Sequence, residues 1–376
     1  MRFFYTMANN ITPTPLFVDA HEDLAWNMLT FGRDYRHSAV ETRQLEAGSI
    51  APTVNGDTML GLAEFRQART LLIFATLFTA PLRSKEGDWD IVTYRDSAEA
   101  HRQDLQQLDA YERLLGESPA DFCHITSRGE LRRHVDHFQA CAASGTPAPV
   151  GLLYLMEGAD GIRSPREVEE WYARGVRLIG PAWWATRYCG GTREPGPLTA
   201  EGFELLRRME ELGMVLDLSH MDEAAARQSL DVYQAPLLAT HANPYTLNRQ
   251  RESNRFLKDE IIHGIAERGG VIGVVPYNLF LDPAWQKDSP KNNVALAKIA
   301  DQIDYICQLL GRAENVGIGT DFDGGFGLQS SPAELDSIAD LPVLIPILQK
   351  RGYTESDIAG IFGLNWLNFL LNHLPE

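Results

Sequence analysis

Eight short apolar runs alternate with stretches patterned as amphipathic helices, and several of the runs stop abruptly at a histidine or an acid. That alternation predicts an α/β chain closed as a (β/α)8 barrel of the TIM type, with its functional residues gathered at the C-terminal ends of the strands. A second observation removes the main competitor: a doubly wound open sheet calls for a glycine-rich phosphate turn after an early strand, and the first run ends in His21-Glu22-Asp23 instead. A third is the lack of internal repeats, low-complexity segments or linkers, so 1–376 reads as one domain, with 1–14 expected to be extended or disordered and 331–376 expected to form a helical cover.

The first run, Phe17 to Asp23, is β-branched and aromatic before it turns polar. Alternate side chains of an extended chain share a face, so His21 and Asp23 point the same way and could grip one cation. A lone His-x-Asp is more often a strand entering a polar loop; repetition further along is what gives it weight. Residues 34–53 are mixed and polar, and 56–69 lead into Leu71–Phe78, apolar on both faces as a covered parallel strand should be. Leu105, Leu108, Tyr111 and Leu115 stand at helical spacing within 94–115, and a second helix is expected over 128–143.

The third strand, 149–157, ends in Glu157. Helix 165–174 leads to the fourth, 176–183, which ends in Trp183. After a glycine- and proline-rich loop, Thr199 caps a helix through Leu212; strand 214–220 ends in His220, and helix 222–230 leads to strand 236–241, which ends in His241. A loop with Arg249, Arg251 and Arg255, a helix over 258–268, strand 270–277, a long helix over 293–310 and strand 316–321 complete the series, the last strand ending in Asp321 with Asp323 just beyond.

Of 376 residues, 44% are hydrophobic and 23% charged, and the formal net charge is −17. Such an acidic chain is repelled by nucleic acid and by anionic membrane surfaces, so neither is expected as a partner. The N-terminal residues lack a signal-like apolar stretch and no later run could span a bilayer, so a cytoplasmic location is expected. Cys123, Cys141, Cys189 and Cys307 are scattered without C-x-x-C spacing, and ordinary thiols are expected. The sequence allows a homodimer without requiring one.

His21, Asp23, Glu157, His220, His241 and Asp321 therefore converge on one mouth. The other seven histidines fall in expected helices or loops. Three imidazoles and three carboxylates are enough for two cations sharing a bridging carboxylate, and imidazole with carboxylate suits zinc, with manganese and iron also compatible.

The motifs resemble the membrane (renal) dipeptidase family of peptidase family M19, within the metal-dependent amidohydrolases. The matching stretches are 18–24, 156–158, 212–220, 240–243, 268–274, 317–324 and 363–366. The resemblance implies a barrel of the metal-dependent hydrolase type and a zinc-dependent dipeptidase acting on small dipeptides, L-D pairs among them. It implies two zinc ions, with His21 and Asp23 on the first, His220 and His241 on the second and Glu157 bridging. Asp321 would carry the proton from the attacking water to the leaving amine. Aligned from His241 to Leu257, Arg255 would read the substrate carboxylate, with Arg249 and Arg251 as fallbacks, and Tyr277 would wall the site. Trp183 departs from the family pattern, which has a carbonyl-polarising histidine there; an indole N–H is a weak neutral donor. That departure keeps two alternatives open: a related hydrolase of another amide, ester or lactone, and a metal-binding barrel without catalysis.

Overall fold

The computed structural model describes residues 15–376, so the expectation for 1–14 lies outside the described residues. Every expected apolar run forms a strand: β1 (Phe17–Glu22), β2 (Thr70–Phe78), β3 (Val150–Glu157), β4 (Val176–Gly180), β5 (Val215–Asp217), β6 (Leu237–Leu238), β7 (Ile272–Val274) and β8 (Val316–Ile318). β1 through β6 pair in parallel in that order as one sheet, and β7 pairs with β8 in parallel as a second. A parallel bridge, Ala239↔Ile272, links the two. The result is an α/β fold built on a curled parallel sheet. Beyond the bridge, Gly273 and Gly319 let the backbone close in: a Cβ on either would lie 1.8 or 2.0 Å from the Thr240 carbonyl oxygen.

The strands are shorter than their apolar runs because side chains take over the ladder at their ends. β5 stops at Asp217, whose carboxylate accepts the backbone N–H groups of Ser219 and Thr240, each at 3.0 Å. β2 and β3 are buried along their whole length, as expected for strands with helices outside and packed side chains within. The covering helices start where capping residues predict: Asp96, Ser127, Thr199 and Asp222 each accept a backbone N–H of the first turn. Gly145 and Gly311 end two of them in the left-handed conformation.

The sequence reading missed several elements. Short helices Leu24–Thr30, Ala39–Leu45 and Leu62–Gln67 fold the region between β1 and β2. They are too short for a clear apolar period, and the second is marked only by its Ser38–Glu41 capping box. A three-residue strand, Phe122–His124, pairs with Val150–Leu152, which corrects the expectation that all the remaining histidines lie in helices or loops. The segment after 331 holds a run of short helices. Its last helix, Asn365–His373, sets Trp366 against the sheet, where its indole N–H donates to the Ile318 carbonyl at 3.1 Å. No helix among the described residues is long and apolar enough to cross a membrane.

Candidate active site

The six residues singled out at strand ends meet at one mouth. His21 Nε2 lies 3.8 Å from Asp23 Oδ1, 3.4 Å from Glu157 Oε2 and 3.9 Å from Asp321 Oδ1. The other oxygen of Glu157 faces the remaining imidazoles, 2.9 Å from His220 Nε2 and 3.5 Å from His241 Nε2. Two sets of potential ligands therefore overlap, His21 with Glu157 and His241, and His21 with Asp23 and Asp321. Asp23 reaches this mouth from just past β1, at the N-cap of the helix that follows.

Three of these side chains, those of His241, His220 and Asp23, are contacted from behind by threonine hydroxyls. Thr240 Oγ1 donates to Asp217 Oδ2 at 2.5 Å and so accepts from His241 Nδ1–H at 2.8 Å, which turns the lone pair of His241 Nε2 into the site. Thr192 Oγ1 stands 2.9 Å from His220 Nδ1. Thr76 donates to Asp23, and Asp19 accepts the backbone N–H of His21 at 3.3 Å and of Thr320 at 2.8 Å. Asp321 and Asp323 both adopt positive φ, +54° and +65°. Asp323 points away from the mouth into Arg33, 2.9 Å distant, and the backbone N–H of Met59, so it anchors the turn that presents Asp321. Gly324 packs directly under it: a Cβ there would lie 2.0 Å from Asp321 Oδ1, so a larger residue would displace that carboxylate.

These residues fit a metal pair. His220 Nε2 and His241 Nε2 face each other at 2.9 Å, and both nitrogens of buried His21 lack any hydrogen-bond partner among the described residues. Lone pairs held that close need a cation between them, or a proton in its place. The electrostatics agree. Burial opposes charge on His21, yet Glu157, Asp23 and Asp321 outweigh it and raise its pKa to about 10. Burial and the charge of Arg255 lower His220 to about 4, and burial holds His241 well below its ordinary value. Glu157 is held far below the carboxylate range by His21 and His220 against the penalty of burial. Burial pushes Asp321 well up and Asp23 to about 6. Without metal, positive charge collects on His21, where a cation belongs.

The residues expected around substrate are placed as follows. Arg255 is buried beside the imidazoles, its two Nη atoms donating to the carbonyls of Ser219 and His241, both at 2.6 Å. Arg251 is committed to the Asp282 and Trp285 carbonyls, and Arg249 is exposed, which leaves Arg255 as the one of the three beside the imidazoles. Tyr277 stacks on Phe326 at 4.1 Å. Trp183 stands 6.5 Å from the His220 ring, edge-on to Phe78 and stacked on Trp184. Sequence reasoning missed Thr192, Asp217 and Thr240 as orienting groups; Asp217 alone left a signal, as an acid inside an apolar run.

A family model for membrane dipeptidase (peptidase family M19) matches residues 6–372. The chain belongs to the membrane dipeptidase family. Membership makes it a metal-dependent hydrolase of dipeptides. A Klebsiella pneumoniae protein described as an uncharacterized protein in the pqqA 5' region is 36% identical over 276 residues, 71% of this chain and 94% of that one. The dipeptidase AclJ of Aspergillus oryzae is 26% identical over 72% of this chain, and the match spans 60% of that protein's length. Among solved structures, a Rhodobacter sphaeroides metallopeptidase liganded with a phosphinate mimic of the dipeptide L-Ala-D-Ala superposes with a TM-score of 0.74 at 21% identity, covering 96% of this chain and 99% of that one. That likeness supports the curled-sheet fold of the dipeptidase family.

Proposed function

We propose that this family member cleaves the peptide bond of small dipeptides, L-D pairs among them, with two zinc ions held by His21 and Asp23 on one side, His220 and His241 on the other and Glu157 between them. The observation that carries this reading is the disposition of Glu157, one oxygen toward His21 and the other toward His220 and His241. Imidazole and carboxylate donors suit zinc. Bound there, a divalent pair supplies the Lewis acidity that lowers the pKa of a water and polarises the scissile carbonyl.

The protein's own groups do the rest. The Asp321 carboxylate, 3.9 Å from His21 Nε2 at the mouth, takes the proton of the attacking water and returns it to the leaving amine. The buried Arg255 guanidinium pairs the substrate carboxylate and stays fixed through its bonds to the Ser219 and His241 carbonyls. Tyr277 and Trp183 wall the mouth and exclude water. The same reading completes the barrel: the backbone N–H of Asp321 donates to the His21 carbonyl at 3.2 Å, which supports closure of the sheet between β8 and β1.

One observation favours a second reading. Trp183 offers no cationic donor to the carbonyl, which suits a related hydrolase of another amide, an ester or a lactone. Metal analysis of the purified protein followed by hydrolysis assays on matched L-L and L-D dipeptides, esters and lactones separates the two. The dipeptidase reading expects two zinc per chain and turnover of dipeptides; turnover confined to esters or lactones overturns it.

A further inference from the structure

Arg193 sits at the metal mouth with its charge unspent. It follows Thr192, whose hydroxyl touches His220, in the hairpin formed by Cys189–Gly191 and Glu194–Leu198. Its guanidinium lies over the Trp184 ring at 5.5 Å and, among the described residues, makes no hydrogen bond or ion pair. Neighbouring arginines are neutralised: Arg83 by Glu194 and Arg187 by Glu201. In a chain with 51 acids and 34 bases, a cation left unpaired beside an active site calls for an explanation.

The backbone is also held to present it. Arg193 adopts φ +66°, a left-handed conformation unfavourable for any L side chain, and its N–H donates to Asn254 Oδ1 at 3.0 Å. Asn254 directly precedes Arg255, so the two arginines are tied side by side: Arg255 buried, with both Nη atoms engaged by carbonyls, and Arg193 exposed and free.

Resting on the dipeptidase reading, in which Arg255 pairs the α-carboxylate, we propose that Arg193 binds a second carboxylate, the side chain of an aspartate or glutamate in the substrate, and so selects acidic dipeptides. Its place over the Trp184 ring, with no hydrogen bond or ion pair among the described residues, leaves the guanidinium N–H groups available for the fork geometry a carboxylate accepts.

The test compares dipeptides that differ only as Glu against Gln. Both kcat/KM on the zinc enzyme and equilibrium binding to Asp321→Asn, which retains the site without turnover, are measured for the parent, Arg193→Gln and Arg193→Lys. The parent should prefer the Glu peptide about tenfold by both readouts, less at high salt; Arg193→Gln should collapse that ratio toward one, and Arg193→Lys should restore part of it. Equal handling of Glu and Gln peptides by the parent, with dipeptide turnover intact, overturns the assignment of Arg193 alone. Equal losses on both peptides in Arg193→Gln also overturn it, by showing that the residue reads the α-carboxylate. A Glu preference in binding, without hydrolysis of any dipeptide, overturns the hydrolase reading and upholds Arg193 as the carboxylate reader.

Discussion

Replacing Thr192 by valine removes one hydroxyl and keeps the side-chain shape. In the metal-loaded protein His220 Nε2 must be unprotonated, so its proton sits on Nδ1, 2.9 Å from Thr192 Oγ1. Losing that bond costs about 1 kcal/mol, and leaving a buried N–H without an acceptor costs about 1–3 kcal/mol more. Thr192 is only half-buried, so water can replace part of the lost acceptor, and the low end applies. The sum, about 2 kcal/mol, corresponds to roughly thirtyfold weaker metal binding, within the range seen for partners behind a ligand. Competition against a chromophoric chelator reads this directly, with Thr192→Ser as the control that keeps the hydroxyl. Thr192→Val with parental affinity at both metal positions and an unchanged melting temperature would refute the orienting role.

Three further outcomes are expected. Asp321→Asn should keep its metal complement yet lose at least about a thousandfold in kcat, since an amide of the same size cannot accept a proton; retention of most turnover sinks the shuttle. Asp104 is buried, and burial raises its carboxyl to about 7 although Thr79 donates to it. The folded state thus holds a proton that the unfolded chain releases near 4, so stability falls as pH rises from about 4 to 7. Asp104→Asn should remove that slope and gain about 2–4 kcal/mol over the parent at pH 8 but far less at pH 4, in urea unfolding; a pH-independent difference rejects the assignment. Trp183→His should raise dipeptide kcat by about tenfold or more by restoring a donor beside Glu157 and His220; unchanged metal content, kinetics and substrate profile would make Trp183 a packing residue.

The metal mouth was legible because strand ends are marked in sequence by a sudden change of polarity, and His21, Glu157, His220 and His241 each stand at such a change. The strand count was legible for the same reason. What stands behind the ligands was not: Thr192 reaches His220 from a hairpin 28 residues away, and a hydroxyl in a glycine-rich loop carries no periodic signal. Arg255 was singled out, with Arg249 and Arg251 as fallbacks, by its place in a motif, but its bonds to two main-chain carbonyls depend on how three loops meet, which no spacing reveals. The helices between β1 and β2 escaped because a single turn or two cannot establish an apolar period.

The seam between the first and last strands carries a consequence for how the protein comes into being. Thr320 donates to Asp19 across 301 positions of sequence, through both its backbone N–H and its hydroxyl. Half of the metal mouth is therefore synthesised first and must wait for nearly the whole chain before Asp321 can join it. Such distant pairing is slow to form. Metal supplied during synthesis would meet His21 and Asp23 without the other candidate ligands, so loading belongs after the C-terminal helices have docked. Cleavage of the chain before Trp366 should then yield a polypeptide that keeps all the candidate ligands and holds none of the metal.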